Sequence, residues 1–287
     1  IRERACKILD KLPLGEEIDW VEMVSIELTT QMLAVLFDFP FEDRKKLTYW
    51  SDMTTAIPKR GGVADSQEQR WAAIQECLEY FQRLWDVRIN QSPGFDLISM
   101  LAHGKATKNM PPKEFLGNLL LLIVGGNDTT RNSITGGVVA LNENPEEYEK
   151  LRRNTGLIGN MVSEIIRWQT PLAYMRRTAT QDTDLRDKKI RAGDKVIMWY
   201  ASGNRDEEML ERPDDFWIDR PNARQHLSFG FGIHRCMGNR LAEMQLRILW
   251  EEIMRRFDCI ETLAEPERVY SSFVKGYTKL PVVLHGI

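Results

Sequence analysis

FGFGIHRCMG, residues 229 to 238, is the most informative stretch of this 287-residue sequence. Glycines on both sides of Cys236 let the backbone bend sharply and approach a flat ligand. The apolar residues that follow recur at helical spacing, so Cys236 stands just ahead of a predicted helix. The dipole and the free N–H groups of a helix start stabilise a thiolate, the form of cysteine that binds metal ions. The stretch therefore predicts a cysteine suited to metal ligation.

Three other interpretations of Cys236 compete with a metal ligand. Cysteine is often a small buried apolar residue, and the residues alone leave this interpretation open. A reactive thiol would use the same helix start. The glycine spacing differs from the GxGxxG of dinucleotide-binding loops, and no strong strand pattern precedes it. A nucleotide-binding loop is therefore disfavoured.

The composition is that of an ordinary globular protein, with 43% hydrophobic residues, 28% charged residues and a formal net charge of -3. Acids and bases are interspersed, so nucleic acid is not expected as a partner. The most apolar stretch, residues 115–124, has about half of the ~20 residues that a transmembrane segment needs. The four cysteines lack paired spacing, which argues against disulfides and zinc and favours a reducing, cytoplasmic setting.

Helical periodicity dominates the sequence. Asp19 and Glu22 stand in capping-box positions at the start of the first periodic segment. The third segment would run for about thirty residues, or ~45 Å, from Pro112 until just before Pro145. Apolar residues at helical spacing predict helices over residues 19–37, 66–90, 112–144, 145–153, 156–168 and 241–257.

Strand signals are short and lie in the second half of the sequence, at residues 174–180 and 189–198 and more weakly toward the C-terminus. Loops are predicted around Gly61 and Gly62 and over residues 204–235, where no period is visible. We therefore expect a mainly α fold with small β-sheets, an α+β architecture, in a single domain over residues 1–287. The sequence opens at Ile1 without a methionine, and we expect it to be an N-terminally truncated fragment.

The pattern FGxGxHRCxG resembles the haem-binding loop of the cytochrome P-450 family, whose members are haem-thiolate monooxygenases. The many fixed positions of this pattern seldom coincide by chance. The resemblance implies the cytochrome P-450 fold, here lacking its N-terminal part, with haem b as the cofactor. It further implies that Cys236 is the thiolate ligand of the haem iron, in a loop framed by Phe229, Gly230 and Gly238.

The segment GGNDTT, residues 125–130, interrupts the apolar run of the long helix. A glycine costs a helix roughly 1 kcal/mol against alanine, and threonine can bond back to the carbonyl one turn earlier. Either another helix packs closely against the glycines, or the helix opens locally. The segment resembles the oxygen-binding stretch of the same family. That resemblance implies that Thr129 hydrogen-bonds the bound dioxygen and that Asp128 passes protons inward from solvent.

Glu164 and Arg167 stand three residues apart on a predicted helix. On their own they form a common surface pair worth about 0.2–0.5 kcal/mol. In their order along the chain they resemble the Glu-x-x-Arg pair that anchors the cysteine loop in the family. Many members have an arginine where Asp215 stands, so we expect His226 to be the third partner, as in a soluble bacterial branch. A satisfied loop histidine is the alternative for His226.

Two basic residues match positions that bind the haem propionates in the family. They are Arg176, nine residues past Arg167, and His234, two before Cys236. An arginine suits this task because it can meet a carboxylate with two hydrogen bonds. Arg177 is the alternative to Arg176.

The resemblance implies a cytochrome P-450 monooxygenase, which inserts one atom of O2 into a substrate C–H bond. A ferredoxin and its NAD(P)H-dependent reductase are the implied electron donors, because the sequence shows no flavin or iron–sulfur motif. Arg235, Arg240 and Arg247 would form a basic docking patch, or else lie on a solvated helix of mixed charge.

The expected substrate is a hydrophobic small molecule. The segments GGNDTTRNS and GYTKLP are similar to the bacterial branch that hydroxylates the terminal carbon of medium-chain alkanes and fatty acids, an alkane 1-monooxygenase type. The alternatives are a monooxygenase of terpenes or steroids, a haem-thiolate gas sensor or carrier without turnover, and a helical protein without haem. The residues expected around the pocket are apolar, namely Leu119, Leu122, Ile123, Leu172, Ala173 and Phe273.

Overall fold

The computed structural model describes residues 1–59 and 62–287, and α-helices make up most of its regular structure. The loop predicted at Gly61 lies outside these residues. The α-helices of the described residues are α1 (Arg2–Leu9), α2 (Glu27–Phe37), α3 (Lys45–Thr55), α4 (Gln67–Arg88), α5 (Leu97–His103), α6 (Pro112–Glu143), α7 (Pro145–Arg153), α8 (Ile158–Gln169), α9 (Tyr200–Gly203) and α10 (Asn239–Ile253).

The start of the first predicted helix was wrong. Asp19 ends a short strand, β1 (Glu17–Asp19), and a π-helical segment, Val21–Ile26, leads into α2. The Asp19 carboxylate accepts from the Val21 N–H at 3.0 Å, as a helix cap does, and also from the Leu280 N–H at 3.1 Å. The second bond ties Asp19 to the residue just before the last strand. Asp19 therefore caps the helical segment and also helps to hold β1 against the C-terminal strand.

The other predicted helices are confirmed, with small changes at their ends. Ser66 caps α4, since its side chain accepts from the Gln69 N–H at 3.1 Å. Helix α6 begins at Pro112, where the missing N–H of proline costs nothing. Helix α10 ends before Phe257, which was predicted to be helical, because the chain there joins a sheet.

The strands of the described residues form small antiparallel sheets. The strand predicted over residues 189–198 was wrong as a single element, because Gly193 adopts a φ of 90° and the Arg191 N–H donates to the Asp194 carboxylate at 2.8 Å, which makes a turn. Strand β1 pairs with the last strand, and that strand pairs with the first strand after α10. The strands after β1 are β2 (Tyr174–Thr178), β3 (Thr183–Leu185), β4 (Lys188–Ile190), β5 (Lys195–Trp199), β6 (Phe257–Thr262), β7 (Glu267–Arg268), β8 (Tyr277–Lys279) and β9 (Pro281–Gly286).

Helix α6 joins two buried apolar clusters. Its C-terminal half packs with α1, α8, α10 and the β1–β9–β6 sheet, and a side chain at Gly137 would meet Ile165 at 2.8 Å and Trp250 at 3.2 Å. Its N-terminal half packs with α2, α3, α4 and α5 through residues such as Phe115, whose ring lies 4.7 Å from that of Trp85. The middle of α6, which carries the GGNDTT segment, lies between the clusters. None of the helices seen in residues 1–59 and 62–287 has the length and hydropathy to cross a membrane.

Candidate active site

The cysteine loop, residues 229–238, bends as its glycines predict. Gly230 and Gly232 adopt positive φ angles of 68° and 74°, a conformation that residues with a side chain adopt only at a cost. The Cys236 N–H closes the bend by donating to the Phe229 carbonyl at 2.8 Å. Helix α10 then begins at Asn239, so Cys236 is held just before a helix start.

Cys236 is exposed in a setting that does not produce a thiolate unaided. The loop around the sulfur excludes enough water to raise the pKa of the thiol, while the Gly238 N–H and the Arg235 charge act in the opposite direction. The Gly238 N–H and the Arg235 charge therefore offset only part of the effect of desolvation on the pKa of Cys236. Coordination to a metal ion deprotonates a thiol outright, so a metal ion bound by Cys236 would convert its thiol to the thiolate.

Apolar side chains stand uncovered around the sulfur. Phe231 is 84% exposed, Ile233 is 97% exposed and Met237 is 87% exposed. Single exposed apolar residues are common, but three of them within one seven-residue stretch around a cysteine form a patch. This patch is suited to covering by a flat apolar molecule.

Helix α6 has an uncovered face in its middle. Leu121 is 68% exposed, a side chain at Gly125 would meet nothing within 4 Å, and Thr129 is half-buried one turn further on. Gly126 instead serves close packing, because a side chain there would meet Leu33 of α2 at 2.7 Å. Of the two alternatives for the glycine pair, close packing of another helix thus applies to Gly126, whereas Gly125 leaves space beside α6.

The local opening predicted for α6 was wrong. The helix stays α-helical from Pro112 to Glu143. The Thr129 hydroxyl does bond back, donating to the Gly125 carbonyl at 2.8 Å, without breaking the helix. The space beside α6 therefore comes from the missing side chain of Gly125 rather than from a distorted backbone.

The uncovered face ends where two other segments reach α6. Asn132 accepts from the Tyr277 N–H at 3.0 Å, and a side chain at Gly136 would meet the Gln169 amide of α8 at 2.6 Å. Gly125, Thr129, Asn132 and Gly136 follow helical spacing, so they share one side of α6. The last turn of α8 and the segment leading into β8 therefore border the open part of this face.

Three of the residues predicted around the pocket lie in these bordering segments. Leu172 forms a bridge with Val274, and the Ala173 N–H donates to the Phe273 carbonyl at 2.9 Å. Leu172, Ala173 and Phe273 are all half-buried. They follow the last turn of α8 or precede β8, so they stand at the edge of the uncovered face.

The prediction that Leu119 and Ile123 line this pocket was wrong. Both side chains are 0% exposed and pack in the cluster with α2 and α4. Leu122 is half-buried against the same cluster. Leu121, which the sequence did not single out, falls one turn before Gly125 and so lies on the open side.

Asp128 lies on the other side of α6, buried against α3. Its carboxylate is 0% exposed and accepts from Ser51 at 3.0 Å and from Thr55 at 3.4 Å. Arg131 lies 3.1 Å from it and also pairs with Asp52. Burial raises the pKa of Asp128 to about 6, the Arg131 charge opposes this, and the Asp52 charge adds to it.

Glu164 is the centre of a buried ionic network. The side chains of Glu164 and Arg167 are 0% exposed, and Arg167 donates to both carboxylate oxygens at 2.7 Å. Arg220 donates to the same two oxygens at 3.2 Å and 3.0 Å. The Trp217 N–H adds a bond at 3.0 Å. The pair is therefore no surface salt bridge, and two guanidinium groups share one carboxylate.

The two arginines also hold the loop that precedes the cysteine. Arg167 donates to the carbonyls of Asn204, Pro213 and Asp215 at 2.7 to 2.9 Å. Arg220 likewise donates to the Asp215 carbonyl, at 2.8 Å. Asp215 thus contributes its backbone to the network, while its side chain bonds Arg212 at the surface.

The third partner of the pair is Arg220, and the prediction of His226 for this place was wrong. His226 is buried, but its Nδ1 accepts from the Ser228 N–H at 3.2 Å and its Nε2 has no partner within the part of the chain that the structure describes. Burial, with the charges of Arg235 and Arg167, lowers the pKa of His226 to about 4. A neutral imidazole cannot balance a carboxylate as Arg220 does.

Arg176 and His234 are exposed and unpaired. Within residues 1–59 and 62–287 neither side chain has an ion-pair or hydrogen-bond partner. Arg176 shares one face of β2 with Tyr174, whose ring lies 5.5 Å from that of Phe273 at the edge of the open face. Arg177 points to the opposite side of the strand. The geometry thus favours Arg176 over Arg177 for contacts with a bound anion.

Comparison with known proteins identifies the family to which this chain belongs. A family model described as cytochrome P450 matches residues 4–280. The chain belongs to the cytochrome P450 family. The curated relatives include linalool 8-monooxygenase of Pseudomonas putida, 36% identical over 99% of this chain and 70% of that protein. Another is methyl-branched lipid omega-hydroxylase of Mycobacterium tuberculosis, 33% identical over 98% of this chain and 67% of that protein.

Solved structures of cytochromes P450 share the fold. Cytochrome P450-153 from Novosphingobium aromaticivorans is 53% identical, with a TM-score of 0.90 over 99% of this chain and 69% of that one. A cytochrome P450 of Mycobacterium marinum in complex with pseudoionone is 30% identical, with a TM-score of 0.90 over 98% of this chain. The expectation of the cytochrome P-450 fold, mainly α with small sheets, is thereby confirmed, and the chain is a monooxygenase of hydrophobic substrates.

Cytochromes P450 bind haem b through a cysteine thiolate, and the residues present here fit that cofactor. A flat apolar macrocycle suits the uncovered apolar side chains around Cys236 and the vacant side-chain position at Gly125. Its two carboxylates suit Arg176 and His234, which are exposed cationic or hydrogen-bonding groups without partners among the described residues. Haem would thus cover the exposed apolar side chains and give Arg176 and His234 carboxylate partners.

Proposed function

We propose that this cytochrome P450 hydroxylates the terminal carbon of medium-chain alkanes or fatty acids, with Cys236 as the haem ligand. The observation that carries the proposal is the uncovered face of α6 at Leu121, Gly125 and Thr129, bordered by the apolar segments at Leu172 and Phe273. A substrate placed there would meet hydrocarbon walls and one hydroxyl group.

The cofactor and the protein divide the chemistry. Thiolate-ligated haem supplies activation of O2, because the anionic sulfur favours cleavage of the O–O bond. Cys236 would hold the iron, and Arg176 and His234 would hold the propionates. The buried Glu164–Arg167–Arg220 network would keep the cysteine loop in place, since it binds the loop carbonyls that precede it.

Asp128 and Thr129 would move protons across α6. Asp128 has a pKa of about 6, so near neutral pH its carboxyl group can both take up and release a proton. Asp52, which shares Arg131 with Asp128, has a side chain that is 29% exposed and reaches solvent. Thr129 lies on the open face. Asp128 would take up protons on the solvent side of α6. On the open face, the Thr129 hydroxyl would leave its bond to the Gly125 carbonyl and donate a hydrogen bond on the substrate side, beside the haem.

The substrate class rests on chemistry and on resemblance. The residues bordering the open face are hydrocarbon in character, which suits an unfunctionalised chain. The segments GGNDTTRNS and GYTKLP are similar to the alkane- and fatty-acid-hydroxylating branch. The name of the mycobacterial relative, methyl-branched lipid omega-hydroxylase, describes oxidation at the end of a lipid chain.

A terpene is the second candidate substrate. The relative from Pseudomonas putida, at 36% identity, is named linalool 8-monooxygenase, so its name gives the terpene alcohol linalool as substrate. Linalool carries one hydroxyl group, which would have to find a partner beside the open face or remain unpaired. The substrate test below therefore includes it.

A ferredoxin and its NAD(P)H-dependent reductase are the proposed electron donors. Arg235 and Arg240 flank Cys236, are exposed, and form no ion pair among the described residues. Arg247, the third residue of the predicted patch, pairs with Glu251 at 3.8 Å instead. An acidic surface would meet two free guanidinium groups beside the cysteine, which favours rapid association.

Turnover by the haem-loaded protein tests the proposal. With a ferredoxin, its reductase and NADH, we expect octane and a medium-chain fatty acid to give the terminal alcohols, identified by mass spectrometry. Thr129→Ala should consume NADH while forming less alcohol, whereas Thr129→Ser keeps the hydroxyl and the coupling. Oxidation of linalool without oxidation of either chain would assign the protein to terpenes and overturn the alkane proposal.

A further inference from the structure

Asn204 lies beneath the cysteine loop and is 1% exposed. It follows α9, outside the FGFGIHRCMG stretch, and carries no charge, so sequence patterns gave it no role. We infer that Asn204 is a positioning residue for Cys236. Its side chain fixes residues 227 and 228, which lead into Phe229, the residue whose carbonyl accepts from the Cys236 N–H. The inference rests on the proposed function, in which Cys236 is the haem ligand.

Both polar atoms of the Asn204 amide are hydrogen-bonded. Its Oδ1 accepts from the Leu227 N–H at 2.6 Å, and its Nδ2 donates to the hydroxyl groups of Thr170 and Ser228, each at 2.8 Å. An amide offers two donors and an acceptor, and each meets a partner here. Removal of this side chain would leave a backbone N–H and two hydroxyl groups without their partner.

These bonds tie the cysteine loop to the last turn of α8. The Ser228 hydroxyl donates a hydrogen bond to the Ile166 carbonyl at 2.7 Å, and the Thr170 hydroxyl donates to the Arg167 carbonyl at 2.5 Å. Thr170 ends α8 in the left-handed region, with a φ of 40°, which a threonine adopts only when its surroundings hold it. Asn204 is the group that bridges this cap and the loop.

The bridge leads directly to the cysteine. The Gly230 N–H donates to the carbonyl of Leu227 at 2.7 Å, and Leu227 is the residue whose own N–H Asn204 binds. Phe229, next to Ser228, accepts from the Cys236 N–H at 2.8 Å. Asn204 therefore holds Leu227 with its amide oxygen and Ser228 with its amide nitrogen. These two residues directly precede the bend that carries Cys236.

The ionic network reaches the same point from another direction. Arg167 donates to the main-chain carbonyl of Asn204 at 2.7 Å. Arg167 and Arg220 bind carbonyls of residues 211–215, whereas the Asn204 side chain binds residues 227 and 228, near the cysteine. Loss of the Asn204 side chain would leave that network intact and release only the cysteine end.

A pair of matched variants tests this role in the haem-loaded protein. Asn204→Leu removes the amide at nearly constant volume, and Asn142→Leu removes another amide that makes three bonds, to the Val138 and Ile260 carbonyls and from the Thr262 N–H, away from the loop. Outer partners of a metal ligand typically contribute about 10–100-fold to metal affinity or activity. We expect haem to dissociate at least about tenfold faster from Asn204→Leu, with loss of the thiolate-type Soret band, and not from Asn142→Leu.

A second readout does not depend on the identity of the iron ligand. Amide hydrogen exchange at Gly230 and Cys236 should speed up by at least about tenfold in Asn204→Leu and stay unchanged in Asn142→Leu. Where Asn204→Leu does not fold, Ser228→Ala removes one arm of the bridge and should show the same two changes more weakly. Unchanged exchange and unchanged haem release in the folded variant would overturn the inference. A thiolate band that survives Cys236→Ser would instead overturn the proposed function. The rates of amide hydrogen exchange at Gly230 and Cys236 would still test the positioning role of Asn204.

Discussion

Two buried acidic residues, Asp128 on α6 and Glu164 on α8, each have an arginine three residues later on the same helix. Their surroundings differ in charge. Glu164 meets two guanidinium groups, of Arg167 and Arg220, and no second carboxylate pairs with them in the described residues. Asp128 shares the single guanidinium of Arg131 with Asp52.

The difference shows how the same local pattern serves two purposes. An excess of positive charge around Glu164, with several carbonyls of the adjoining loop bound by the same arginines, makes a fixed anchor. Burial raises the pKa of Asp128 to about 6, and the Asp52 charge adds to this rise while the Arg131 charge opposes it, which leaves a proton that can exchange. Spacing alone therefore does not reveal the role of such a pair, because burial and the further charged groups around it also matter.

The largest effect is expected where the anchor is broken. Arg220→Met would nearly keep the volume but leave Glu164 with one guanidinium group. It would also release the loop carbonyls of Glu211 and Arg212 and leave the Asp215 carbonyl to Arg167 alone. Breaking a buried ion pair on one side typically costs about 3–5 kcal/mol. We expect a loss of that size in the free energy of unfolding, measured by urea denaturation of the haem-loaded protein. A loss below about 1 kcal/mol, as for a surface pair, would contradict the role of the network.

The counterpart on α6 should affect turnover instead of stability. Asp128→Asn keeps the shape and one acceptor oxygen for Ser51 or Thr55, but it cannot carry a proton. Positioned proton donors typically contribute about 10²–10⁴-fold to rate, so we expect turnover to fall by about 10²-fold. Steady-state rates with substrate and the unfolding midpoint would be measured together. An unchanged rate would remove Asp128 from the mechanism.

The pH dependence of stability sharpens the comparison further. The pKa of Asp128 in the folded protein, about 6, lies above its ordinary value of 3.8, so folding favours the protonated form. The stabilisation from this proton is present below the ordinary pKa and is lost as the pH rises through about 6. Asp52→Asn removes a like charge and frees Arg131 for Asp128, so it should lower the pKa and shift this loss to lower pH.

Urea denaturation at pH values between about 5 and 8 would measure that loss. Asp128→Asn is the control, since it should abolish this part of the pH dependence altogether. A pH dependence that is identical in wild type and Asp128→Asn would show that another group is responsible.

The smallest effect is expected at His226. His226→Leu removes an imidazole whose Nε2 is unpaired among the described residues, at the cost of one bond from the Ser228 N–H. A typical hydrogen bond contributes about 1 kcal/mol, and removal of an unpaired buried group offsets part of that. We expect a change within about 1 kcal/mol in the free energy of unfolding. A loss as large as that of Arg220→Met would return His226 to the place of the third partner.

The sequence predicted those features that local chemistry determines. The positive φ angles of Gly230 and Gly232 follow from glycine, and the bounds of α7 and the start of α6 follow from Pro145 and Pro112. The family followed from the order of three motifs, and the family match confirms it. The glycine conformations and the helix starts depend on residues that are neighbours in sequence, and each of the three family motifs is itself a short local pattern.

Features that depend on distant residues were missed. Arg220 lies more than fifty positions after Glu164, in a loop without periodicity, and nothing near it shows that it is buried. The apolar run Phe216–Ile218 just before it was the available signal, because apolar residues in a charged loop indicate an inward turn. Leu121 was missed for a related reason: the open side of α6 depends on which helices pack against it, and several apolar faces were equally possible.

The central claim is that Cys236 is the thiolate ligand of the haem iron. The carbon monoxide difference spectrum of the reduced, haem-loaded protein tests it most directly. We expect a Soret band of the thiolate type in the wild-type protein and its loss in Cys236→Ser, while a cysteine away from the loop, such as Cys259 in Cys259→Ser, can be replaced without changing the band. Absence of the thiolate band in the wild type, or its persistence in Cys236→Ser, would contradict the account.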